Sequence, residues 1–430
     1  MKVKFKYGDS FKVFDIQDHH VLEVIKPPVS FPLPDVRQTV RNRLRQPDTG
    51  PSLTELLLRV RETHRVLIVV SDITRSIPQY PQILEELVEE INRSVKGAEI
   101  RFLIATGTHR PLASEEIRSI YGELLTDSYS FANHDCDSPD LIEIGRLSSG
   151  IPLTVNQLVK WADVFIVTGR VAPHYFSGFS GGRKSVLPGI SGREVIRANH
   201  SRVAHPHVGL GKLAGNPIHE EMVEAAQLAG VDFALMVVMN MEKQAVGVFA
   251  GEIIETHEKA CRVCLEVCGV TGKIPADCVV TSSGGFPQDL SVFQMQRTLQ
   301  NTKALLKPGG SFLVFGEARE GIGQDTFETW LSSAATPDEL LSVPENQVKV
   351  GGHTAVLTAR LLVRNTVCMI SYCAPEQLER IFFKGFSSGE EGLEFMQNRH
   401  GSDFTAYLVP DGTFLMAHQG ALNEGSNRDK

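Results

Sequence analysis

Residues 65–78 read RVLIVVSDITRSIP: a short, β-branched apolar run that stops abruptly at Ser71, Asp72, Thr74 and Arg75. Such a run reads as a buried strand, and the polar cluster after it reads as the loop at the strand's carboxyl end. The same pattern recurs in IRFLIATG (100–107), DVFIVTGR (163–170), CVVTSSGG (278–285), SFLVFGE (311–317) and VCMISYC (367–373). Amphipathic segments such as PQILEELVEEINRSV (81–95) and PEQLERIFFKGF (375–386) lie between these runs. Strand and helix alternating in this way predict an α/β protein with mainly parallel sheets.

The alternation breaks between Val231 and Asp277, where DFALMVVMN and AVGVFAGE read as a hairpin, followed by a helix and the polar segment GVTGKIPAD. That segment is the expected linker. The chain therefore divides into an N-terminal α/β domain over 1–272 and a C-terminal α/β domain over 273–408. A hairpin end and polar tail are expected over 409–430, the hairpin being FTAYLVPDGTFLMA (404–417).

With 430 residues, 42% of them hydrophobic, the chain can bury full cores. Its net charge of −8 gives no general attraction to nucleic acid or anionic lipid. No apolar stretch approaches a membrane span, and MKVKFKYGDSFKVF (1–14) alternates like a strand rather than a secretory signal. Seven cysteines form no disulfide framework, which suits a cytoplasmic, reducing location. Cys261, Cys264 and Cys268 fall on one helical face, where free cysteine acts as a small core hydrophobe.

In open α/β sheets ligands bind beyond the carboxyl ends of strands. After the first strand stand Asp72, Thr74 and Arg75; after the second, in ATGTHRPL, stand Thr108, His109 and Arg110. After the third comes VAPHYFSGFSGGRKSVLPGISGREVIRANH (171–200), with His174, Lys184 and His200. Arg75 offers a planar fork for a carboxylate or phosphate. Imidazole is the side chain suited to proton transfer at neutral pH, so His109 and His174 can move protons on either face of a substrate, as racemisation requires. Hydrolases and metal sites also use such pairs, so a zinc hydrolase built on His174, His200 and His205 or His207 is an alternative.

The glycines of GFSGGRKSV (178–186) suggest a flexible loop whose backbone approaches an anion, with Gly181, Gly182 and Ser185 beside it. It is not a Walker loop, because Arg183 stands where the glycine before lysine is required. A pyridoxal Schiff base is a further use for Lys184. A helix is expected from Gly192 to Asn199.

Taken together, DITRSIP (72–78), GTHR (107–110), PHYFSGFSGGRKSVLPG (173–189), the Asn199–His200 pair, GNPIHEEM (215–222) and EGIGQD (320–325) resemble the nickel-dependent lactate racemase family over nearly the whole chain. These enzymes are also described as nickel-pincer nucleotide racemases and epimerases. The resemblance implies that Lys184 meets the pyridinium-derived nucleotide, with a thioamide as the covalent form of that contact, and that His200 ligates nickel. It implies His109 and His174 as acid/bases assisting reversible hydride transfer, Arg75 as the substrate carboxylate's partner, and Asp72 with residues 181–185 as the nucleotide's seat. It implies also a cofactor made by separate biosynthetic enzymes and a small 2-hydroxy acid as the other partner.

The resemblance also implies a C-terminal domain that closes over an interdomain active-site cleft: in GGFPQDLSVFQMQR (284–297) Gln294 matches the family's substrate-binding glutamine, while Arg297 stands where the family has lysine and Phe293 where it has tyrosine. The resemblance also sets His353 where the family has an aromatic residue near the substrate. The substitutions point to a 2-hydroxy acid larger or more polar than lactate, such as malate or a sugar acid. A protein that binds the nucleotide without catalysis would not need both His109 and His174.

Overall fold

The computed structural model describes residues 1–60, 64–75, 77–349 and 351–418. The chain forms two compact units, Val29–Val267 and Met1–Pro28 with the chain from Cys268 onward.

The Val29–Val267 unit is built on a six-stranded sheet. Its spatial order is Ala245–Gly251, Phe233–Met239, Val164–Val171, Arg65–Ser71, Glu99–Ala105 and Ser130–Asn133. All neighbours run parallel except the first two, which form the expected hairpin. Residues 66–70 are buried without alternation, as a strand covered on both faces requires. On one face the Tyr80–Ser94 helix brings Ile83, Leu84, Leu87 and Ile91 into a core with Val66, Ile68 and Val70. From Arg65–Ser71 the chain steps outward to Glu99–Ala105 and Ser130–Asn133, then returns to Val164–Val171 on the other flank. That reversal is a topological switch point, where such sheets open a ligand crevice. Asp72 leaves one of its two strands, and His174 follows the other.

The other unit has a second six-stranded sheet, entirely parallel, in the order Lys384–Phe386, Thr366–Ile370, Leu306–Phe315, Ala276–Ser282, Ala406–Val409 and Val21–Val24. Its switch point lies between Ala276–Ser282 and Ala406–Val409. The segment GGFPQDLSVFQMQR follows the first of these strands and runs into the Val292–Thr302 helix.

Three sequence expectations are corrected. The first 28 residues do not belong to the N-terminal domain: Val21–Val24 pairs with Ala406–Val409, and Phe5 and Phe14 pack on Phe315. The boundary falls at 267/268 rather than 272, because Gly269–Thr271 is a strand paired with Met416–His418. The final hairpin does not form either. Residues 410–414 bond sideways, Gly412 N–H to Ser282 O and Asn301 Nδ2–H to Thr413 O, and this carries the chain into a different sheet instead of reversing it. Residues 419–430 of the expected tail lie outside the described residues. The three cysteines do lie buried in the Ile253–Cys268 helix. Among the described residues no helix is long and apolar enough to cross a membrane.

Candidate active site

Three strand ends of the Val29–Val267 unit carry the ionisable groups. Asp72 is buried, and its oxygens are both engaged: Oδ2 is 2.5 Å from His109 Nδ1, and Oδ1 accepts from Thr74 Oγ1 at 2.7 Å. Burial raises its pKa, but hydrogen bonding and charge from His109, with help from Thr74 and Arg75, outweigh that and hold the carboxyl below its usual value. A carboxylate bonded to Nδ1 fixes that nitrogen as the protonated one, so half-exposed His109 presents Nε2 as a base. The strand end is braced from behind. Tyr80 Oη receives Ser71 N–H at 3.0 Å and meets Thr168 Oγ1 at 2.6 Å.

His174 lies in a tight antiparallel pair, Pro173–His174 against Ser177–Phe179. Its Nε2 is 3.1 Å from Lys184 Nζ, which also reaches Ser177 Oγ at 3.2 Å and sits over the Phe176 ring. Burial, then the positive charges of Arg75 and Arg183, push the Lys184 pKa well below that of a free lysine. An uncharged amine is the nucleophilic form of lysine. The Ser177 N–H is also directed at His174 Nδ1, at 3.4 Å, which holds the ring with Nε2 toward the lysine.

The loop read as flexible is instead a bonded 3₁₀ turn over Gly182–Ser185. Gly181 and Gly182 have φ of +78° and +53°, and a Cβ on either would press on Arg170 O or on the His257 ring at 3.0 Å. Their lack of side chains serves the protein's own packing. Ser185 is buried in the same turn. The loop is stitched to the neighbouring strand end by Gly107 N–H donating to Gly189 O at 3.0 Å, so the His109 and Lys184 loops are held together.

Arg183 anchors this turn. It is one of the largest fully buried side chains, and it donates to Ser177 O at 2.6 Å, Gly181 O at 3.2 Å and His219 Nδ1 at 3.0 Å, and meets His257 Nε2 at 2.8 Å. Burial lowers its pKa to about 10, and burial with the Arg183 charge drives His219 down to about 3, so both imidazoles stay neutral. Arg183→Met leaves several buried acceptors unsatisfied and is expected to cost on the order of 2–3 kcal/mol in urea unfolding.

His200 ends the Arg193–His200 helix, one residue beyond the expected span. It is buried against Phe176, edge to face at 4.8 Å, with Nδ1 3.2 Å from Asn199 Oδ1. His205 and His207 are exposed, and among the described residues His174, His200 and these two do not converge as a three-ligand group. The zinc arrangement therefore lacks support. Gln294 and Arg297 are exposed one turn apart on the Val292–Thr302 helix of the other unit, while Phe293 packs on Phe327. His353 is buried, its Nδ1 accepting from Gly351 N–H.

Family models described as the lactate racemase N-terminal and C-terminal domains match residues 7–211 and 271–417. The chain belongs to the lactate racemase family. A lactate racemase of Thermoanaerobacterium thermosaccharolyticum is 30% identical over 97% of this chain and 99% of its own length. One from Lactiplantibacillus plantarum is 32% identical over 87% and 89%. The solved structure of the T. thermosaccharolyticum lactate racemase apoprotein superposes with a TM-score of 0.90 at 31% identity, covering 97% of this chain and all of that one. A Thermotoga maritima protein at 17% identity and TM-score 0.64 shares the fold.

Within this lactate racemase family member, the sequence reading identified Lys184 but not what holds it. Arg183, His219 and His257 had no assigned role, although an arginine in place of the Walker glycine was a visible departure. Asp72, expected as part of a nucleotide seat, has His109 as its direct partner.

Proposed function

We propose that this protein is a racemase or epimerase of 2-hydroxy carboxylic acids that uses a nickel-pincer nucleotide. The observation that carries the reading is the buried Lys184 amine at the sheet's switch point, its charged form disfavoured by burial, hydrogen-bonded to His174 and stitched to the loop that carries the Asp72–His109 pair. These donors fit the group. A neutral amine can form a thioamide, and a buried imidazole such as His200 suits nickel. When bound, the nucleotide would supply reversible hydride acceptance, with Lys184 and His200 holding it.

The protein's own groups supply the rest. His109, oriented by Asp72, and His174 take and return the hydroxyl proton, one for each enantiomer. Arg75 holds the carboxylate, and Gly181, Gly182, Ser185 and Asp72 border the nucleotide. Gln294 and Arg297, exposed one turn apart on the Val292–Thr302 helix, are the substrate-binding pair of the C-terminal domain. Arginine spreads its charge over a planar fork where lysine offers a point, which suits an acid with a further carboxylate or hydroxyl groups. The cytoplasm fits seven free cysteines, and loading requires the cofactor's biosynthetic enzymes.

The test is a chiral assay of co-expressed protein over lactate, malate and sugar acids deuterated at C2. Inversion with the label retained supports this reading. Inversion with loss of the label to water would replace it with direct proton abstraction.

A further inference from the structure

The contact between His200 and Asn199 specifies more than a distance. A side-chain amide can be turned end for end, so its meaning depends on what holds the other end. Asn199 is fully buried, and its Nδ2 donates to Ile218 O at 3.1 Å and to Glu221 Oε2 at 2.8 Å. A carbonyl and a carboxylate accept hydrogen bonds and cannot donate them. Turning the amide would aim Oδ1 at two oxygens, so Oδ1 is fixed toward His200. Glu221 is itself buried and held, with Oε1 accepting from Arg202 at 2.9 Å and from Ser149 Oγ at 2.6 Å.

An amide oxygen facing Nδ1 requires the proton to be on Nδ1, which leaves the imidazole lone pair at Nε2. Neutral histidine free in water prefers the opposite tautomer. We propose that Asn199 and Glu221 are positioning residues that hold His200 in its Nδ1–H form, so that Nε2 is the nitrogen offered to the metal. The purpose of this relay rests on the reading of His200 as a nickel ligand; the tautomer itself does not. The arrangement joins the Arg193–His200 helix to the Pro217–Leu228 helix, so the orientation of His200 depends on a carboxylate that reaches it through Asn199. Losing such an outer partner lowers metal affinity by about 10- to 100-fold.

The test begins on the full chain expressed without the cofactor, labelled with 15N-histidine and measured at a pH where imidazole is neutral. His200 signals are assigned by their loss in His200→Ala. The wild-type spectrum is expected to show a protonated Nδ1 and an unprotonated Nε2, and Asn199→Ala to shift His200 toward the Nε2–H form. Glu221→Gln, which places an N–H donor against Arg202 or against the Asn199 amide, is expected to shift it in the same direction. In co-expressed protein, Asn199→Ala should retain nickel about 10- to 100-fold less tightly against a chelator. A wild-type His200 in the Nε2–H form overturns the proposal, as does an unchanged tautomer in folded Asn199→Ala. Should Asn199→Ala not fold, the wild-type and Glu221→Gln spectra decide. If the tautomers behave as proposed and His200→Ala still keeps nickel, the relay stands and the ligand role fails.

Discussion

His109→Ala is expected to slow enantiomer interconversion by about 10²- to 10⁴-fold, the range that a positioned acid/base supplies, with nickel content unchanged. The expectation follows from the pairing with Asp72. A buried carboxylate on Nδ1 keeps His109 in the tautomer that can accept a proton at Nε2, and no other imidazole comes from that strand end. His174→Ala should cause a loss of the same size. It carries a second consequence, because His174 Nε2 is 3.1 Å from Lys184 Nζ and its removal also changes the lysine's surroundings. Steady-state rates in both directions on a chiral column, with nickel measured on the same samples, check this. Full activity in either variant would remove that histidine from proton transfer.

Lys184→Ala is expected to abolish the covalent adduct altogether, and with it the stable retention of cofactor through purification. The lysine is prepared for the reaction by burial and by two neighbouring arginines, Arg75 and Arg183, which disfavour its charged form. Lys184→Arg should fail equally, because a guanidinium stays protonated. Intact mass of co-expressed protein reads the outcome directly. An adduct that persists in Lys184→Ala would place the attachment elsewhere.

Much of the frame was legible because its signals are local. Val66–Val70 is apolar without interruption and ends at Asp72, and that pattern alone places the residue at the mouth of a buried strand. The hairpin of Phe233–Met239 and Ala245–Gly251 was readable for the same reason. What sequence could not show depends on contacts between distant parts of the chain. Val21–Val24 joins its sheet through Ala406–Val409, and no local pattern in the first 28 residues reveals that partner. The 404–417 segment has a turn-like PDG between two apolar runs, yet Ser282 and Asn301 take its backbone groups and divert it.

The site divides along the same line. Residue types and motif spacing pointed to His109, His174, Lys184 and His200, and the structure places all four in one unit. Their supports were not visible: Arg183 beneath the turn, Asp72 behind His109, and Asn199 with Glu221 behind His200. Glycine content suggested mobility at 178–186, but Gly181 and Gly182 are there because side chains would collide with Arg170 and His257. Sequence alone does not separate a glycine needed for motion from one needed for close packing.

The most direct test of the central claim is intact mass with nickel analysis on protein co-expressed with the pincer-nucleotide biosynthetic enzymes, followed by the chiral assay on the same sample. The account predicts a nucleotide-sized adduct on Lys184, nickel near one equivalent per chain, and inversion of a 2-hydroxy acid. Inversion by protein that carries neither adduct nor nickel would contradict it.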